Sequence, residues 1–161
     1  MPELSLEDVW QVLEQVKDPE IPVVSVVEMG LIRSIGWDGD ILLITMTPTF
    51  AGCPALQVMQ SEIAGRLRAA GAMQVAVRLT FSPPWSTDWI SSTARQKLKD
   101  FGLAPPPLLG DTPGEGLPDV ATCPYCDSPD TELKNSFGST LCRAIYVCNH
   151  CRQPFEQFKP V

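Results

Sequence analysis

Two cysteine pairs carry the clearest chemistry in this sequence: Cys123-Pro124-Tyr125-Cys126 and, after 21 intervening residues, Cys148-Asn149-His150-Cys151. A C-x-x-C turn points two thiolates to one side of the chain. Two such turns at this separation supply the four soft ligands of a tetrahedral metal. The spacing predicts a zinc ribbon held by Cys123, Cys126, Cys148 and Cys151, with a rubredoxin-like iron as the alternative ion. Four thiolates close the coordination shell, so this metal is expected to fold the tail rather than to catalyse. His150 lies inside the second turn and reads as an exposed loop residue. Cys142, six residues before Cys148, reads as a buried free thiol on a strand.

Cys53 stands apart, in Ala51-Gly52-Cys53-Pro54-Ala55, just ahead of an apolar helical stripe. With Pro54 read as the first helical residue, the thiol sits at the positive end of a helix dipole, among free amide donors. That setting favours the thiolate, which can hold iron or attack an electrophile.

The elements that position these cysteines follow from hydrophobic period and turn chemistry. Leu6, Val9, Leu13 and Val16 recur at helical spacing behind a near capping box, Ser5 with Asp8, and Asp18-Pro19 is expected to end that helix near Lys17. Strands are expected around 23–27 and 31–37, with a type I′ hairpin at Asp38-Gly39 leading into a central, doubly apolar strand, Asp-Ile-Leu-Leu-Ile-Thr-Met-Thr. Leu56, Met59, Ile63 and Leu67 form the second helix, ending at Gly71. In the next strand Met73, Val75, Val77, Leu79 and Phe81 are expected on one face. Pro83-Pro84 stops it, and Ser86 or Thr87 caps a last helix through Phe101. The expectation is a small α+β domain of order α-β-β-α-β-α over 1–103, with helices packed on a mixed sheet. A Pro/Gly-rich linker follows over 104–120, and the four-cysteine ribbon over 121–161. Between Ala104 and Asp119 lie five prolines and three glycines.

Composition narrows the function. The 161 residues are 44% hydrophobic and 19% charged, a globular balance, with a net charge of −7. Such a chain has no electrostatic footprint for nucleic acid or an anionic membrane. From Ala121 onward four basic residues face four acidic ones, so the ribbon reads as a docking module for protein. No apolar run reaches membrane-spanning length, and the first ten residues lack a basic and an apolar signal region, which predicts a cytoplasmic protein.

Asp18-Pro19-Glu20 in one loop, Gly52-Cys53-Pro54 in another, and Pro83-Pro84-Trp85 with Asp88 after the last strand resemble the metal–sulfur cluster assembly (SufT-like) domain over about residues 5–103. The full set of stretches, with Gly-Leu-Ala-Pro-Pro, both cysteine pairs and Pro-Phe-Glu-Gln-Phe-Lys-Pro, resembles the D-subunit family of phenylacetyl-CoA epoxidase systems along essentially the whole chain. One departure is Glu28-Met29-Gly30, where relatives often carry aspartate and leucine before the glycine. The resemblance implies an accessory role beside a multicomponent di-iron monooxygenase, in installing or maturing its iron or iron–sulfur centre. Its oxygenase or reductase subunits would be the partners. Cys53 would transiently hold iron or a cluster, with Asp18 and Glu20 as supporting oxygen ligands.

The chain lacks a dinucleotide fingerprint, a phosphate loop and the Glu-x-x-His pair of a di-iron catalytic subunit, and has one histidine. It is therefore expected not to be catalytic itself. Two alternatives are a thiol-dependent enzyme using Cys53 and an adapter that docks oxygenase subunits through the ribbon. A small open sheet also leaves edges on which a homodimer could form.

Overall fold

Ser5 opens the first helix because its side chain replaces a missing helical acceptor. Ser5 Oγ accepts from the Asp8 amide at 3.1 Å, and Asp8 Oδ2 accepts from the Ser5 amide at 3.2 Å, completing the capping box. The computed structural model describes residues 4–49, 52–108 and 121–160. Its contacts divide the chain into two units, Met1–Trp85 with Trp89–Ser91, and Ser86–Asp88 with Ser92–Val161. Each mixes helix and strand, so the fold class is α+β.

In the first unit, α1 (Leu6–Leu13) buries Val9 and Leu13. It ends earlier than expected, because short i→i+3 bonds from Gln15 to Val12 and from Val16 to Leu13 tighten the exit. Lys17–Asp18 then forms β1, paired with β2 (Ile21–Ser25), which starts two residues before the expected strand. Val26 and Val27 instead enter a turn closed by a second reciprocal pair. Glu28 Oε2 accepts from the Ser25 amide at 2.9 Å, and the Glu28 amide donates to Ser25 Oγ at 3.0 Å.

The main sheet has order β3-β4-β5, with β3 (Ile32–Asp38) antiparallel to β4 (Ile41–Met46) and β5 (Gln74–Leu79) parallel to β4. β4 is central, as its doubly apolar pattern predicts. The hairpin loop is Gly39-Asp40, with positive φ only at the glycine (59°). That is the pattern of a type II′ turn rather than the expected I′, which needs both residues left-handed. Leu42, Ile44 and Met46 are fully buried on one face, and the crossover helix α2 (Ala55–Ala69) contacts both the neighbouring strand β5 and α1. The strand after α2 is shorter than expected. Met73 (84% exposed) and Phe81 (53%) lie beyond its ends, so only Val75, Val77 and Leu79 join that face.

The expected single last helix is broken. Thr87–Trp89 forms a 3-10 turn, and α3 begins only at Ser92 and runs to Asp100. The break follows from an anchor in the first unit. The Trp85 indole donates to Met29 O at 2.8 Å, and the Ser91 amide donates to Glu28 O at 2.9 Å. Gly30, with φ 70°, lies so close to Trp89 that a Cβ there would sit 2.7 Å from Trp89 Cβ and O. The Arg33 guanidinium covers the Trp89 ring at 3.9 Å.

The second unit is a four-stranded sheet of order β6-β9-β8-β7 with α3. β7 (Thr131–Asn135), β8 (Arg143–Cys148) and β9 (Pro154–Phe158) are antiparallel neighbours, and β6 (Leu103–Ala104) adds parallel to β9. α3 and Leu103, expected within 1–103, and Ala104, expected in the linker, fall in the same unit as the ribbon strands. The proline stretch also begins docked. Pro105 O accepts from Gln157 Nε2 at 3.3 Å, and the half-buried Arg95 guanidinium donates to Pro106 O and, at 2.7 Å, to Thr87 O. The rest of the expected linker, 109–120, lies outside the described residues.

Candidate metal centre and cysteine loop

The ribbon core is small: Ala104, Ala121, Ala144, Tyr146 and Phe155 pack around Cys123 and Cys148. Tyr146 and Phe155 stack with ring centroids 5.7 Å apart. So few apolar residues need a staple, and the sulfurs supply it. Each knuckle curls back through the residue after its second cysteine. The Asp127 amide donates to Cys123 O and the Arg152 amide to Cys148 O, both at 3.0 Å. Asn149 ties the second turn to the segment that leaves the first, its amide and side chain both donating to Asp130 at 2.9 Å.

The sulfurs of Cys123, Cys126, Cys148 and Cys151 all lie within 4.8 Å of one another. Cys123 Sγ is 3.7 Å from Cys151 Sγ, and Cys126 Sγ is 3.6 Å from Cys148 Sγ. A tetrahedron with metal–sulfur bonds of about 2.3 Å has edges of about 3.8 Å. The four sulfurs thus fit one tetrahedral ion, and none is paired in a disulfide. His150, exposed in the second knuckle, is outside the set.

The local electrostatics prepare one thiolate first. The Cys151 amide, 3.4 Å from Cys148 Sγ, leads in holding that thiol down to about 6. Burial opposes it, and the Cys126 side chain and the His150 amide assist. At Cys126 the Ser128 amide pulls the other way, but burial and the neighbouring sulfurs outweigh it and push the thiol up to about 12. Burial also raises Cys123. A cation at the centre is what allows all four to be thiolates together.

Cys142 is buried on the approach to β8, its Sγ 2.9 Å from Thr140 Oγ1. Cys53 is half-buried, two residues before the start of α2. Pro54 is the N-cap rather than the first helical residue, and the Leu56 amide donates to Cys53 O at 3.2 Å. The cysteine follows the carboxyl end of β4 in a parallel β4-α2-β5 crossover, where α/β proteins commonly bind ligands. Asp18 is buried and its Oδ1 accepts the Glu20 amide at 2.9 Å, fixing the Asp-Pro-Glu turn. Among the described residues, the ribbon cysteines are the one group of three or more His, Cys, Asp or Glu gathered at metal-binding distance. Asp18, Glu20 and Cys53 do not form such a group. Sequence reasoning missed the left-handed residues Asp127 and Arg152 and the Arg95 clamp. The first two had a signal, their place directly after C-x-x-C, whereas Arg95 had none.

This is the architecture of an iron–sulfur assembly domain followed by a cysteine-held ribbon, and relatives of known family bear it out. Residues 6–79 match the family described as "Iron-sulfur cluster assembly protein", and residues 111–159 the "PaaD zinc beta ribbon domain". The chain is 38% identical over 154 residues to the Escherichia coli (strain K12) protein named as the D-subunit of a "Putative 1,2-phenylacetyl-CoA epoxidase", covering 96% of this chain and 92% of that one. It belongs to that D-subunit (PaaD) family. It is also 37% identical to a Porphyromonas gingivalis "Fe-S protein maturation auxiliary factor", over 57% of this chain and 89% of the relative. A Bacillus anthracis crystal structure of a DUF59 domain superposes with TM-score 0.53 at 30% identity, over 57% of this chain and 89% of that one. Among the described residues no helix is long and apolar enough to cross a membrane.

Proposed function

We propose that this protein is a non-catalytic accessory factor that assembles or delivers the iron or iron–sulfur centre of a phenylacetyl-CoA epoxidase system. The observation that carries the reading is the near full-length relationship to an epoxidase D-subunit, joined to a first domain shared with maturation factors. In this reading the ribbon sulfurs hold one zinc. With all four positions taken by protein, the ion stabilises the fold and presents a docking surface to oxygenase or reductase subunits.

Cys53 is the thiolate that receives the iron cargo. Its place in a loop at the carboxyl end of β4 gives a client access, and its half-burial limits oxidation. Asp18 and Glu20 are the supporting oxygen ligands of this reading; one turn holds them, and because they are not gathered with Cys53 at metal-binding distance, their loop must close on the cysteine when iron arrives. The chain's single histidine lies in the ribbon's second knuckle, so Cys53 has no histidine base on its own domain, and a carrier role suits it better than nucleophilic catalysis.

The test is complementation. In cells lacking the native factor, wild-type protein should restore both epoxidase activity and the iron content of the purified oxygenase and reductase. Cys53→Ala should co-purify with those subunits yet leave them iron-poor. Full iron loading with Cys53→Ala would make the protein an adapter instead.

A further inference from the structure

The main sheet has two outer edges, and they are not alike. β3 is interrupted by a register shift between Ile32 and Ser34, and carries Arg33, Gly36 and Asp38. Bulges and charges are devices by which edge strands resist pairing, and a strand glycine gives a second chain no side chain to pack on. β5 has none of them except Arg78. Its six residues, Gln74 to Leu79, keep unbroken register with Ile41 to Met46. Val75, Val77 and Leu79 share the helix-covered face with Leu42, Ile44 and Met46, yet remain half-exposed while those three are fully buried. Beyond the strand ends stand Met73, 84% exposed, and Phe81, 53% exposed. Beside this edge, a shallow groove of about 450 Å³ is lined by Gln57, Gln60, Ser61, Ala64 and Arg68 of α2 with Val77.

We propose that this edge is the dimer interface, with β5 pairing antiparallel to β5 of a second copy to make a continuous six-stranded sheet. The sequence of the strand is self-complementary about Ala76. In that register Val75 faces the second copy's Val77, Met73 faces Leu79, and Gln74 faces Arg78. Every pair sets like with like or a neutral acceptor against a cation, and no two like charges meet. A two-fold axis through Ala76 also sets α2 antiparallel to its copy across the groove. The small side chains Ser61 and Ala64 permit close approach there, and Arg68 lies toward the amide of Gln57. An unrelated extended segment would gain the same backbone bonds but not this side-chain match.

Cross-linking of the full-length, metal-loaded protein tests the register. Ala76→Cys places each new thiol opposite itself, at cross-strand distance for a disulfide. Mild oxidation should give a covalent dimer, with Gln74→Cys and wild type as controls that stay uncross-linked. Light scattering should show wild-type dimers in the micromolar range, and Val77→Lys should shift them to monomers while leaving the bound metal unchanged. Monomeric wild type at every concentration, or a dimer untouched by Val77→Lys with no Ala76→Cys cross-link, overturns the proposal.

Discussion

Asp127 and Arg152 occupy the same place in the two knuckles: each follows the second cysteine, and each has a left-handed backbone, φ 61° and 65°. The turn that aims two sulfurs at one point ends in this conformation, whatever residue the sequence supplies. A Cβ in the left-handed region costs roughly 1–2 kcal/mol. Arg152→Gly is therefore expected to stabilise the ribbon by up to about 1 kcal/mol, once the greater freedom of glycine in the unfolded chain is discounted. Arg152→Val should destabilise it. Chemical denaturation of metal-loaded protein measures both, with metal content unchanged in the glycine variant. Asp127→Gly should gain less, because Asp127 also pairs with Lys99.

Gly30 should tolerate no side chain. Alanine there meets both the positive φ and the backbone of Trp89, so Gly30→Ala is expected to cost at least about 2 kcal/mol. The loss should appear in thermal unfolding of the first unit, whereas Gly36→Ala, whose Cβ meets nothing within 4 Å, should cost far less.

Arg95 ties α3 to the 3-10 turn and to the proline stretch, and burial lowers its pKa against the opposing field of Asp88. It stays charged across the working range of pH, so its hydrogen bonds are charge-assisted. Arg95→Ala should destabilise the second unit by about 1–3 kcal/mol. Arg95→Lys should recover only part of that, since one ammonium cannot reproduce the planar fork.

Metal loading should fall as pH falls, because protons compete for the same four sulfurs. Cys126 holds its proton up to about 12 despite the Ser128 amide, while Cys148 releases its own near 6. Binding therefore displaces protons at neutral pH, and acidification reverses it. A chromophoric chelator should report release that steepens below neutrality. Amide exchange should then show β8 and β9 losing protection while β4 keeps it. Cys126→Ser should release metal at higher pH than wild type.

Much of this was legible in the sequence, for identifiable reasons. The capping box at Ser5, the central strand 41–46 and the stripe Leu56, Met59, Ile63, Leu67 are local patterns, and local physics decides them. The cysteine set is legible because metal geometry fixes ligand type and spacing. The misplacements came from tertiary contacts. The last helix breaks where Trp85 and Ser91 are held to Met29 and Glu28, residues far away in sequence. β6 forms because β9, more than fifty residues later, offers an edge to Leu103 and Ala104. Glu28 closes the turn by reaching the Ser25 amide, a contact no composition rule shows.

The proposed function divides labour between two kinds of cysteine, and one measurement reaches that division directly. Protein purified without oxygen should be assayed for zinc, iron and acid-labile sulfide, wild type beside Cys53→Ala. About one zinc in both proteins is expected, as a single four-thiolate site implies, with iron, alone or with sulfide, in the wild type only. Equal iron in the two proteins would contradict the assignment of Cys53.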